Sequence, residues 1–304
     1  MIMGSRLAVY SLLAITLLFT SVGLTAEQDY AARFKELREQ KAHAQIEPLL
    51  NEWREKRPND PDAWITGANY YFNQRQVMIS TKKPEKGDFS LTDKKTGKQA
   101  GSISFESDKA ATKRAADLLQ QATTKFPDRL DIWCGLAFVY QESGDFESEM
   151  STLQKMVAYA REHPEELKWL KGEPIKDPAD KFVPEKLHNY GLYYEKKENA
   201  DDDRRWFQIS TLATQQYPSN AIGWNDAAGY YADIGEWQKA RDSLEKARQI
   251  EPKSVGVLMN LGNISLQLED TAGARKFFEE ALKLEPNGEY AQDAKQALGK
   301  LKKK

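Results

Sequence analysis

The chain has 304 residues, with 44 Lys and Arg against 46 Asp and Glu, a net charge of −2 and 40% hydrophobic residues. That balance argues against binding nucleic acid through bulk positive charge, and an aromatic share of 11% argues against global disorder. One cysteine excludes an internal disulfide framework and any multi-cysteine metal site, and three histidines leave little room for metal chemistry, so neither a metal nor a cofactor is expected.

In chain order, the first predicted element is an address. Arg6 precedes an apolar run over 7–23, and charged sequence starts at Glu27. This is the layout of a signal peptide over 1–26, with cleavage after Ala26, and it predicts a periplasmic or secreted protein. An uncleaved run would instead anchor the chain in a membrane. Helices are then predicted over 27–40 and 43–57, closed by Pro58. Another covers 61–74 with Trp64, Ala68 and Tyr71 on one side, but its partner is displaced to 108–125, where Ala115, Leu119 and Ala122 precede Pro127.

The intervening segment, 76–107, reads as a β-hairpin. Residues 89–92 and 102–105 alternate apolar and polar, and Gly97 and Gly101 allow a turn between them. Lysines 82, 83, 86, 94, 95 and 98 outnumber Glu85, Asp88 and Asp93. Lys82, Lys83, Lys94 and Lys95 are therefore candidate contacts to an acidic partner or surface; the alternative is a tolerated insertion with a solvated tip. A further helix pair runs from 128 to 161 and turns at Ser143-Gly144-Asp145. Within it, Cys134 sits in the apolar stretch IWCGLAF and is expected to be a buried, unreactive thiol.

Pro164, Pro174, Pro178 and Pro184 interrupt the chain over 163–184. That segment is either a hinge between sub-domains or an ordered strap held by Trp169. Helices follow over 185–197 and 202–217. The acidic run Asp201-Asp202-Asp203 precedes the second, where carboxylates favour a helix N-terminus, so it reads as a cap rather than a cation site.

From there a 34-residue period takes over: Pro218, Pro252 and Pro286 keep it, as do Ala213, Ala247 and Ala281. Each interval holds two apolar-periodic runs joined by a short turn such as Ile234-Gly235-Glu236. Trp224, Ala228, Tyr231, Ala240, Leu244 and Ala247 mark one unit; Leu258, Leu261, Gly262, Ala274, Phe278 and Ala281 mark the next. This pattern resembles the tetratricopeptide repeat (TPR), a helix–turn–helix unit of the same length. The resemblance implies an all-α fold: a right-handed α-solenoid of about six TPR-like helix pairs, a C-terminal capping helix over 289–301, and the β-hairpin-like insertion. Four segments result: the signal peptide at 1–26, N-terminal repeats at 27–162 containing the hairpin at 76–107, the linker or strap at 163–184, and C-terminal repeats with their cap at 185–304.

The resemblance also implies where a ligand would lie, because the first helix of each TPR pair lines a concave face. Carried onto this chain, the partner-binding groove comprises Asn69, Phe72, Asn73, Phe138, Glu142, Glu195, Asn225, Gly229, Asn263 and Gln267. Asn69 and Asn263 occupy the place where some members clamp a peptide backbone with asparagine. The lysines and arginines that hold chaperone C-terminal tails in other members have no counterparts here.

No phosphate-binding, dinucleotide-binding or nucleophile-elbow motif is present, and His43, His163 and His188 lack metal-ligand spacing, so no enzyme is predicted. The expected function is an exported protein–protein interaction scaffold that binds a peptide or partner protein in the cell envelope. Nucleic acid is not expected as a partner, and membrane attachment is expected only if the first segment stays uncleaved. The alternative is a binder of envelope glycan or a small molecule, with Trp169 and Trp237 as exposed stacking surfaces. Catalysis ranks behind both.

Overall fold

The computed structural model describes residues 29–85, 89–195 and 199–301; the signal segment expected over 1–26 lies outside them. Among the described residues, contacts divide the chain into two compact units, Met1–Lys125 and Phe126–Lys304. The first holds α1 (Tyr30–Glu39), α2 (His43–Lys56), α3 (Pro61–Phe72), the strands β1 (Arg75–Ser80), β2 (Phe89–Thr92) and β3 (Gln99–Ser107), and α4 (Lys109–Lys125). The second begins with α5 (Leu130–Ser143) and α6 (Phe146–Glu162), then a small ribbon of β4 (Lys168–Trp169) and β5 (Glu173–Pro174). It continues through α7 (Ala179–Glu195), α8 (Ala200–Gln216), α9 (Ala221–Asp233), α10 (Trp237–Ile250), α11 (Val255–Gln267), α12 (Thr271–Leu284) and α13 (Ala291–Leu301). Six helix pairs and a final helix are therefore present among the described residues, as the resemblance implied. Inside each unit the helices pack on their sequence neighbours, the nearest-neighbour packing of a helical repeat.

Local chemistry explains why the pairs recur. Four of the turns between paired helices end in the same motif: the Ala42, Asp145, Glu236 and Asp270 amides donate to carbonyls five residues back at 2.8–2.9 Å. The residue before each of those amides adopts a left-handed backbone. Gly144 and Gly235 do so freely, both at φ 75°, whereas Lys41 at φ 55° and Glu269 at φ 60° carry the steric cost of a Cβ. Asp29, Asp60, Asp145, Asn199, Asn220 and Asp270 start the next helices by accepting backbone amide bonds in the first turn. A second device links pair to pair. The indole N–H groups of Trp64, Trp133 and Trp224 donate at 3.0–3.1 Å to the carbonyls of Pro58, Pro127 and Pro218, each six residues earlier. Buried alanines such as Ala213, Ala247 and Ala281 let the helices approach, while Ile209, Leu244 and Phe278 fill the space between them.

The expected hairpin is present as β2 and β3, and an unforeseen third strand, β1, pairs with β3, so the insertion is a three-stranded antiparallel sheet ordered β1-β3-β2. The segment over 163–184, read from the sequence as either hinge or strap, lies inside the second unit, while the division between units falls at Lys125/Phe126. Lys168 fastens the strap by donating its amide to the Asp128 carbonyl at 2.8 Å and pairing its ammonium with the Asp128 carboxylate at 2.6 Å. Finally, α7 starts at Ala179 and runs through Pro184, rather than starting at 185. A proline inside a helix leaves the carbonyl four residues back without its usual donor. Here that carbonyl, on Asp180, accepts instead from the Asn220 side chain at 2.8 Å.

Candidate functional site: the first-helix face of the second unit

Along the second unit, α5, α7, α9, α11 and α13 line three depressions. One of about 770 Å³ lies between α5 and α7 and includes Phe138, Gln141, Trp169 and Leu192. The next, of about 280 Å³, lies among α7, α9 and α11, and the last, about 910 Å³, lies between α11 and α13. Leu192 belongs to the first and second, and Asn260 and Asn263 to the second and third, so the three run into one another. Direct contact of α7 with α9 sets this face.

The middle cavity gathers Glu195, Asn225, Gly229 and Asn263, four of the ten residues assigned to the groove. Asn260, one turn from Asn263, donates through Nδ2 to Asn225 Oδ1 at 2.9 Å, so the amides form a short ladder across α9 and α11. Gly229 lines the cavity for a different reason than expected. A Cβ there would run into the Trp206 ring, and Gly191 faces the same ring from α7, with a Cβ-to-Cδ1 separation of 2.7 Å. Gly229 is therefore a packing residue that seats the buried Trp206 behind the cavity wall.

The remaining assignments separate. Asn69, Phe72 and Asn73 belong to the first unit, where the Asn73 side chain donates to the Asn69 carbonyl at 2.7 Å and finishes its own helix. Phe138 lines the large depression and is 45% exposed. Glu142 and Gln267 are exposed at the ends of α5 and α11 and line none of these three depressions. Lys82, Lys83, Lys94 and Lys95 are exposed in the loops of the inserted sheet. Trp169 and Trp237 are half-buried rather than open stacking surfaces: Trp169 packs edge-on to Phe182 at 5.1 Å, and Trp237 lies against the core of the last pairs. Asp201, Asp202 and Asp203 lie inside the first turn of α8 rather than before it, and the cap is Asn199, whose side chain accepts the Asp202 amide at 3.1 Å.

One pair in the cavity was not legible from the sequence. His188 Nδ1 lies 3.0 and 2.9 Å from the two oxygens of Asp226, which is only 5% exposed. A carboxylate only accepts, so Nδ1 carries the proton and Nε2 is left to accept when neutral and donate when charged. The hydrogen bond His188 donates to Asp226 holds the imidazole above its ordinary value of 6.5, against the opposing effect of burial. Nearby, Asp233 is pushed above the ordinary carboxylate range by partial burial and by Asp203. Cys134 reaches the 770 Å³ depression as a half-buried residue whose Sγ lies 3.8 Å from Met156 Sδ. Burial pushes its thiol up to about 12, which leaves it unreactive.

These features lie partly within a recognised sequence pattern. Residues 232–298 match the tetratricopeptide repeat family. The match covers α10, α11, α12 and most of α13, the stretch where the TPR period is strictest. Among solved structures, the Arabidopsis OM64 TPR domain is 23% identical over 41% of this chain and 98% of its own, with a TM-score of 0.36. MamA is 17% identical over 59% and 91%, with a TM-score of 0.38. YrrB, described as a TPR protein with an unusual peptide-binding site, is 12% identical over 81% and 97%, with a TM-score of 0.41. No curated protein matches the sequence.

Proposed function

We propose that this protein is an exported, non-enzymatic scaffold that holds an extended peptide segment of a partner protein against α7, α9 and α11. The observation that carries the reading is the cluster of Asn225, Asn260 and Asn263 beside Glu195 in one cavity, with Asn260 bonded to Asn225. Asparagine side chains offer both a donor and an acceptor, which suits a peptide backbone whose groups alternate in the same way. The two carboxylates of Glu195 and Asp226 against one imidazole favour a peptide with a basic side chain at this point. Export rests on the apolar run over 7–23 behind Arg6.

A peptide array tests the reading. Wild-type protein selects segments carrying Lys or Arg, and the variant Asn225→Ala/Asn263→Ala loses about tenfold or more in affinity. Glu195→Lys shifts selection away from basic segments. Unchanged selection by both variants, with wild-type thermal unfolding, overturns the groove. In envelope extracts, Asn69→Asp/Asn225→Asp/Asn263→Asp recovers a depleted partner set; an identical set counts against it.

A further inference from the structure

The inserted sheet has its faces the wrong way round for a domain that stands alone. Pairing of β1 with β3 sets Val77 opposite Phe105 and Ile79 opposite Ile103; pairing of β2 with β3 sets Phe89 opposite Ile103 and Leu91 opposite Gly101. Side chains alternate across a strand, so Val77, Ile79, Phe89, Leu91, Ile103 and Phe105 share one face. That apolar face is open. Val77 is 57% exposed, Ile79 73%, Phe89 62% and Phe105 56%, and the Phe89 and Phe105 rings meet edge to face at 6.0 Å. On the other face lie Gln76, Met78, Ser90, Ser102 and Ser104, where Ser102 is buried and Met78, 42% exposed, is the one large apolar residue.

Topology puts positive charge at one end of this face. The sheet is closed at its base, where the Asp108 amide donates to the Gln74 carbonyl at 3.2 Å and α3 and α4 attach. Strand directions place Lys82 and Lys83, after β1, and Lys94, Lys95 and Lys98, between β2 and β3, at the opposite end. Asp93 shapes that far turn by accepting from the Lys95 and Thr96 amides at 2.9 and 2.7 Å, so it is occupied with the loop backbone. From Arg75 to Ser107 the chain carries seven cationic and four acidic residues, within a protein whose net charge is −2.

We propose that this sheet docks the protein on an anionic lipid bilayer: the apolar face enters the headgroup boundary and the lysine tip meets lipid phosphates. A bilayer surface supplies both halves of the match at once, apolar depth and negative charge. A second copy paired face to face with the sheets aligned would instead bring two lysine tips together, which like-charge repulsion opposes. On the proposed reading of the apolar run over 7–23 as an export signal, the nascent chain meets such a membrane whether or not that run is later removed.

The test uses full-length protein in a Cys134→Ala background, with an environment-sensitive fluorophore on Ile79→Cys, and on Met78→Cys of the opposite face as control. With phosphatidylglycerol vesicles at about 0.1 M salt, the label at 79 shifts to the blue and is quenched by spin-labelled acyl chains, whereas the label at 78 is not. Reversing four lysines, Lys82→Glu/Lys83→Glu/Lys94→Glu/Lys95→Glu, weakens this response more than about 100-fold, and phosphatidylcholine vesicles give none. Equal responses at 78 and 79, or one indifferent to the lysines, overturn the proposal. So does a blue-shifted label before vesicles are added: that assigns the face to another part of this chain, or to a second copy if it grows with protein concentration. A response to soluble polyglutamate with none to vesicles reassigns the face to an acidic protein.

Discussion

At the scale of single residues, the most informative positions are those where one side chain replaces what the repeat pattern would otherwise place. Glu269 stands 34 residues after Gly235 and holds the same left-handed backbone, at φ 60° against 75°. Glu269→Gly removes the Cβ strain at a smaller cost in chain entropy. It is expected to stabilise the protein by about 1 kcal/mol, read as a rise of about 2–4 °C in melting temperature. His188 makes a second test. Its folded value lies above 6.5, so its contribution to stability is fully present below the unfolded value and is lost as pH rises through the folded one. NMR titration of the His188 ring places its midpoint above 6.5, and Asp226→Asn brings the midpoint down. A midpoint that ignores Asp226 refutes the pairing. These residues also mark what can be read from a sequence. Glu195, Asn225 and Asn263 were legible because repeat position alone decides which face a helix residue takes. Asp226 was not, because a carboxylate on a helix ordinarily faces water, and its partner lies 38 residues away. Gly229 lines the same cavity, and its missing side chain also makes room for the Trp206 ring, a packing reason the repeat pattern does not reveal.

At the scale of elements, the helices were legible where proline, glycine and capping residues agree with apolar period, and the exceptions have physical causes. β1 escaped notice because Met78 interrupts the alternation between Val77 and Ile79, and an unbroken apolar triplet does not read as one face of a strand. Proline density over 163–184 suggested a break, yet α7 passes through Pro184 because Asn220 occupies the carbonyl that proline cannot. Asn220 thus works twice: its Oδ1 accepts the Ile222 amide to start α9, and its Nδ2 donates to Asp180 in α7. Asn220→Ala loses both and is expected to destabilise the protein by about 1–2 kcal/mol in urea unfolding. Asn220→Asp keeps the cap, loses the donor, and recovers part of that loss. A loss no larger than that of an exposed helix substitution refutes the double role.

At the scale of the whole molecule, a net charge of −2 is an average over unlike surfaces. The first unit carries a cationic, apolar sheet, and the second carries a polar cavity with two carboxylates. Repetition makes this division possible, because helices that depend chiefly on their neighbours tolerate an insertion at one turn without disturbing the next pair. The central claim is that a partner is held on the first-helix face of the second unit. Site-specific photo-crosslinking tests it most directly, with a photoreactive residue placed at Asn260 on α11 or at the exposed Lys246 on α10. The account predicts that an array-selected peptide crosslinks from position 260 and not from position 246. Adducts from 246 alone, or equally from both, would contradict it.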